Sequence, residues 1–172
     1  KKGMRYLFEA LAMLPEDVRL TIVDEGPPGR LTAWGMIREL GLERRVVFTG
    51  KVDLPTLVSL YSTCTVAVMA SLHEGFGLPA AEAMACETPV VATTAGALPE
   101  VVGDDGAGIL VPPRNPAAIR DAVEKLLADP GLRSSMGKKG RRRAEENFAW
   151  PVAARNTLAV YRDVIESYRS RS

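Results

Sequence analysis

The sequence predicts a doubly wound α/β domain, a parallel sheet with helices on both faces and a helical C-terminal tail, on three observations. Short, solidly apolar segments alternate with segments of helical periodicity, as expected for buried parallel strands joined by crossovers. Glycine and proline punctuate the junctions. From Pro116 onward the apolar spacing is helical throughout.

The elements follow in order. Met4, Leu7, Phe8, Leu11 and Leu14 recur at helical spacing, and "RLTIVD" (19–24) reads as a short buried strand. After "GPPG", Leu31, Trp34, Ile37 and Leu40 mark a second helix closed by Gly41, and "RVVFTG" (45–50) is the next strand. Leu54 to Ser62 forms a helix with Pro55 near its start, followed by the strand "TVAVMA" (65–70). A helix over Pro79 to Ala85, the strand "PVVATT" (89–94) and the short strand "GILVP" complete the alternation. In the tail, Ile119, Val123, Leu126 and Leu127 mark one helix, Gly131 to Asn147 a second and Pro151 to Tyr168 a third. Trp34 and Trp150 fall on apolar helix faces and are expected in the core.

Composition narrows the function. The chain has 172 residues, 47% hydrophobic and 25% charged, enough for a single domain, 1–172, with an ordinary core. Lys plus Arg is 22 against 21 for Asp plus Glu, so the net charge of +1 gives no general reason to expect a nucleic-acid or membrane partner. Two cysteines in apolar surroundings, Cys64 and Cys86, are expected to be small buried residues, and with a single histidine, His73, they cannot complete a Cys/His metal site. No run of 18 apolar residues occurs and the start lacks a signal-peptide pattern, so a cytoplasmic setting is expected. The chain also opens in mid-pattern without an initiator methionine, as a fragment would.

In a doubly wound sheet, ligands sit beyond the carboxyl ends of the strands. One such loop is "SLHEGFGLPAAEAMACETPVVATT" (71–94), which places Glu74 and Glu82 eight residues apart around a glycine-rich turn running into a helix. Pro79 suits the first helical position, which makes Leu78 the N-cap, and leucine cannot satisfy the free amides there. Those amides and the backbone of Gly75 to Leu78 are open to an outside anion such as phosphate, which the helix dipole favours. The plainer alternative is that water or Glu82 occupies them. Carboxylates also accept hydrogen bonds from vicinal hydroxyls, so two glutamates facing the turn suit a ribose or a hexose, with Ala80, Ala81, Ala83 and Ala85 keeping the neighbourhood uncrowded. The bland reading is two solvated surface carboxylates.

"EGFGLPAAEAMACETPVVAT" resembles the E-x7-E motif of retaining glycosyltransferases with the GT-B fold, those similar to glycosyltransferase family four. "RLTIVDEGP", "GLERRVVFTGKV", "LYSTCTVAVMAS", "AGALPEVVGDDGAGILVPPRNP" and "ENFAWPVAA" extend the resemblance, in order and spacing, over nearly the whole chain. It implies a Rossmann-like half of a GT-B fold, the nucleotide-sugar-binding domain, with an acceptor domain preceding Lys1. It implies that Glu74 meets the hydroxyls of the donor sugar as the catalytic residue and Glu82 the ribose. The amides of Phe76, Gly77 and Leu78, next to Gly75, would meet the diphosphate, Lys2 would neutralise it, and the base would lie against Gly50, Lys51 and Val52. No metal or other cofactor is expected, because what must be stabilised is the charge of a departing diphosphate. The implied partners are a nucleoside-diphosphate sugar and, through the preceding domain, a saccharide, lipid or small-molecule acceptor, with room for peripheral membrane contact by the full-length enzyme.

The chain departs from the family pattern in places. Asp24 stands where glycine is usual, beside Glu25 and Gly26, and Glu87 stands where "ACGTPVV" is commoner. The basic run "KKGRRRAEE" (138–146) has acidic neighbours at helical spacing and reads as a solvated face rather than a lipid site. His73 is a candidate for contact with the donor. Base, sugar and acceptor are not legible. Two competing readings are a non-catalytic nucleotide or nucleotide-sugar binding module and a hydrolase using Glu74 and Glu82 as its carboxylate pair. The isolated chain is expected to bind nucleotide without turning over.

Overall fold

The computed structural model describes residues 2–24 and 29–170, with the side chains of residues 29–32 not described. Glu25 and Gly26 therefore lie outside the described residues. Among the described residues, eight helices and five strands follow in order, alternating as far as α6: α1 (Met4–Met13), β1 (Leu20–Val23), α2 (Gly29–Glu39), β2 (Val46–Gly50), α3 (Leu54–Thr63), β3 (Ala67–Met69), α4 (Leu78–Ala85), β4 (Val90–Thr93), α5 (Leu98–Val102), β5 (Gly108–Val111), α6 (Pro116–Ala128), α7 (Pro130–Phe148) and α8 (Trp150–Arg169). All strand pairs are parallel, in two ladders, β1 with β2 and β3–β4–β5.

Burial explains the double winding. Every residue of β4 is buried, and its side chains alternate between two cores as a strand must. Val91 joins a core built by Phe8 and Leu11 of α1, Ile37 of α2, Val46 and Val111, and Ile119, Val123 and Leu126 of α6. Val90 and Ala92 join the opposite core, with Met84 of α4, Leu98, Val101 and Val102 of α5, and Ala144 of α7. Each fully buried Leu, Val, Met or Ile contributes about 1.5–3 kcal/mol over exposure, so these two layers hold the sheet between them. Coverage thins towards β2, where Val47 is 54% exposed and burial alternates along the strand. The expectation of solidly buried strands thus holds for β4 and relaxes at the β1–β2 end. Trp34 packs on Phe48 at 5.6 Å, on the core as expected.

Four expectations need correction. Trp150 is 88% exposed, because it opens α8, a helix without a buried residue. Cys64 is exposed and Cys86 only half-buried, since both sit at helix ends, Cys64 after α3 and Cys86 after α4. The α4 N-cap is Gly77 rather than Leu78, which becomes the first helical residue. Ala80, Ala81 and Ala83 are buried in the core with Met84, Leu98 and Ala144 rather than lining a ligand face. Helix α5 was not anticipated; five residues carry too little periodicity to register.

Candidate functional site

The carboxyl end of β3 is built by long-range contacts. Gly3 adopts φ 65 at the start of α1, and a Cβ there would overlap the carbonyl oxygen of Ala70, so only glycine lets the chain start press onto the strand end. That approach delivers Lys2. Its Nζ lies 2.9 Å from Glu74 Oε2, and the Ser71 hydroxyl donates to the same oxygen at 3.0 Å. Ser71 is itself buried, and its carbonyl accepts a 2.6 Å hydrogen bond from the fully buried Thr93 hydroxyl at the end of β4. Behind the loop, the Ala97 amide donates to the Glu74 carbonyl at 3.1 Å, and Gly96 at φ 59 lies so close that a Cβ would overlap that carbonyl oxygen.

Glu74 is therefore a held carboxylate. Its side chain is only 15% exposed, while Lys2 is 64% exposed. The Lys2 hydrogen bond, partly opposed by burial and reinforced by Ser71, holds its carboxyl below the ordinary glutamate value.

Next to it stands the start of α4. Gly77 caps the helix at φ 96 without a side-chain hydrogen bond, and a Cβ there would sit 3.0 Å from Leu98 and 3.8 Å from Glu74 Cγ. Gly75, Phe76 and Leu78 are exposed at this turn, and Phe76 meets Phe148 of α7 edge-on at 5.9 Å. Glu82 is on the exposed stripe of α4, where the Tyr61 hydroxyl points at its Oε2 from 3.4 Å. Burial, then the charge of Glu82, pushes the Tyr61 hydroxyl up, which keeps it a neutral donor.

Gly50 ends β2, at φ 73 and paired in register with Val23, and Lys51 and Val52 follow it. They share the sheet edge with Glu74 but belong to the other ladder. His73 is exposed beside Glu74. Among the described residues, no three His, Cys, Asp or Glu side chains cluster as metal ligands, and no helix is long and apolar enough to cross a membrane.

The structure thus brings together Lys2, Glu74 and the α4 turn, puts Glu82 further along α4 beside Tyr61, and leaves Gly50 to Val52 across the edge. Sequence reasoning missed Ser71, Thr93, Tyr61 and Gly96. Ser71 and Gly96 lie within or beside the glycine-rich loop, and a polar residue ending an apolar strand, as Thr93 does, was the available signal. One concavity, about 710 Å³ and lined by Leu14, Arg19, Leu42 and Arg45, lies elsewhere, at the amino ends of β1 and β2. It is open and far from the carboxyl edge, so chemistry rather than size identifies the site.

Comparison with known proteins fits this geometry. The chain is 41% identical over 167 residues to MMP alpha-(1->4)-mannosyltransferase of Mycolicibacterium hassiacum, covering 95% of this chain and 40% of that protein. Among solved structures, sucrose-phosphate synthase from Thermosynechococcus elongatus superposes with a TM-score of 0.88 at 36% identity, over 96% of this chain and 43% of that one. Anabaena HepE, solved in complex with UDP and glucose, superposes with a TM-score of 0.80 at 26% identity, over 98% and 45%. This chain accordingly spans about 40% of the length of such a curated relative. Residues 1–143 match the family described as glycosyl transferases group 1, and the chain belongs to that family.

Proposed function

We propose that this chain is the donor-binding domain of a retaining glycosyltransferase that moves a sugar from a nucleoside diphosphate to an acceptor. The observation that carries the reading is the placement of a charge-held carboxylate, Glu74, beside both an ammonium, Lys2, and a helix start with no side-chain cap. Group transfer breaks the bond between the anomeric carbon and the β-phosphate oxygen and forms one to the acceptor oxygen. The electron pair leaves with the diphosphate and the acceptor's proton is released. Lys2 and the amides of Phe76, Gly77 and Leu78 suit the departing diphosphate, and Glu74 suits the hydroxyls of a sugar gaining positive charge at its ring. Glu82 suits the ribose, and Gly50, Lys51 and Val52 the base. The HepE complexes with UDP and with UDP-glucose support a nucleotide sugar as the ligand class.

The chain alone holds one wall of a cleft. An acceptor must be positioned against the donor for transfer, so this fragment binds without turning over. The hydrolase alternative loses ground on the Glu74 environment: its carboxyl is held below the ordinary value, opposite to what a general acid needs. A pure binding module remains the second reading of the chain in isolation. A thermal-shift and calorimetric panel of uridine, guanosine and adenosine diphosphates and their glucose and mannose conjugates tests the proposal. One nucleoside diphosphate is expected to bind, more tightly with its sugar attached; binding by none of them to folded protein refutes it. Glu82→Gln should weaken diphosphate and nucleotide sugar alike, whereas Glu74→Gln should remove the extra affinity due to the sugar.

A further inference from the structure

Two donors converge on one oxygen of Glu74, and they differ in freedom. Lys2 is an exposed ammonium on a flexible four-carbon stem, whereas Ser71 is buried and tied through its carbonyl to Thr93. If a diphosphate settles at the α4 turn, it arrives next to this pair, since the Cβ position of Gly77 is 3.8 Å from Glu74 Cγ. Two anions then share one ammonium, and the more highly charged one attracts it more strongly.

Resting on the donor-domain reading above, we propose that Lys2 exchanges partners when the donor binds, leaving Glu74 for the diphosphate and so releasing the carboxylate to accept the sugar's hydroxyls, while Ser71 stays as the positioning residue that keeps Glu74 aimed. Sugar recognition is then conditional on phosphate. The resting site offers a free sugar a neutralised carboxylate, and only a sugar carried on a diphosphate meets an unmasked one. The two halves of the donor are read in a coupled way, because each biases where one ammonium sits. The family resemblance implies separate parts of the ligand for Lys2 and Glu74; their ion pair makes Glu74 and the diphosphate competitors for one ammonium.

The test titrates the folded chain with whichever of uridine, guanosine or adenosine diphosphate binds it best, and with the matching nucleotide sugar. It also follows the Glu74 side-chain carboxyl by carbon NMR against pH, assigned with Glu74→Gln. Glu74→Gln is expected to bind the plain diphosphate about two- to fivefold tighter, the release of an exposed ion pair's typical strength. In ligand-free protein, Lys2→Ala should raise the pH at which Glu74 titrates. Adding diphosphate should raise it in the wild type and raise it less in Lys2→Ala. Ser71→Ala should keep diphosphate affinity and lose the sugar's added affinity, with Ser71→Thr restoring part of it and melts confirming the fold of each variant. Diphosphate that binds Glu74→Gln equally or more weakly, with Glu74 titrating alike before and after, overturns the exchange while leaving the donor-domain reading intact. Failure of every diphosphate to bind refutes that reading first and the exchange with it, even if the ligand-free titration shows the pair.

Discussion

Gly96→Ala tests whether the Glu74 loop is held from behind. Two costs are expected at this position. An L-residue at φ 59 is strained by roughly 1–2 kcal/mol. A Cβ there also overlaps the Glu74 carbonyl oxygen and comes within 3.0 Å of its carbon, so the loop must move and the 3.1 Å bond from the Ala97 amide is lost. A hydrogen bond of this kind contributes about 0.5–1.5 kcal/mol, making the total about 1.5–3.5 kcal/mol. For a domain of this length that lowers Tm by roughly 3–14 °C. Gly41→Ala supplies the control, because Gly41 has φ 67 and nothing within 4 Å of its Cβ position. It carries the strain without the overlap, and the loss of unfolded-chain freedom is common to both variants and cancels. Differential scanning calorimetry of the two variants isolates the contact, and titration with diphosphate and nucleotide sugar reads its consequence. Gly96→Ala should melt lower than Gly41→Ala and lose the sugar's added affinity, while Gly41→Ala keeps it. Equal melting temperatures, or an unchanged preference for the nucleotide sugar in Gly96→Ala, would refute the bracing role of Gly96.

Glu87→Gly should stabilise the chain by about 0.5–1 kcal/mol in urea unfolding, since Glu87 occupies φ 60 at the end of α4 and its ion pair with Arg141, at 3.8 Å, is half-exposed and weak. The carboxyl of Glu74 has a folded-state pKa below its unfolded one, so its contribution is present above the unfolded value of about 4.3 and is lost as pH falls through the lowered folded value. The stability gap between wild type and Glu74→Gln, measured by urea unfolding from pH 7 downward, should therefore close in that acid window and stay constant above it. Ile165→Asp on α8 should change stability by less than about 0.5 kcal/mol, whereas Leu98→Ala in the core should cost about 2–5 kcal/mol, as the exposures of 50% and 0% require.

The elements were legible wherever local periodicity and burial agree. β4 is the clearest case, because "VVAT" is buried on both faces and its apolar run has no other home. α8 shows the limit of the same signal. Leu158, Tyr161, Ile165 and Tyr168 recur at helical spacing and form a real stripe, yet all four are exposed, since periodicity identifies a face and not what covers it. The alanines of α4 mislead in the opposite sense. Their size was legible, but the core they enter is completed by Val101 and Ala144, distant along the chain. The Glu74 environment is likewise non-local. Lys2 is 72 residues distant in sequence and Thr93 is 22 from Ser71, so a motif read along the chain finds the carboxylate without the groups that hold it.

That distinction separates the two glutamates, which the sequence presents as a matched pair. Glu74 sits on a loop fixed at both ends by buried contacts, is 15% exposed and meets a full positive charge. Glu82 stands on the open stripe of a helix and meets a neutral hydroxyl at 3.4 Å, a weak bond at the edge of the usual range. A carboxylate that must stabilise a sugar gaining charge benefits from fixed geometry, since reorganisation at the moment of reaction costs rate. One that receives two ribose hydroxyls needs only to be ionised and accessible, and Tyr61 can yield to the ribose without leaving a charge unpaired in the interior. On the donor-domain reading proposed above, the asymmetry of their surroundings suits Glu74 to the demanding role, and it predicts that an Asp at position 74, shorter by one methylene and unable to reach both Lys2 and Ser71, is tolerated worse than Asp at position 82. Measured by the affinity gained on attaching the sugar, Glu74→Asp should resemble Glu74→Gln. If Glu74→Asp retains that gain while Glu82→Asp loses diphosphate binding outright, the fixed geometry of Glu74 is not what the site uses.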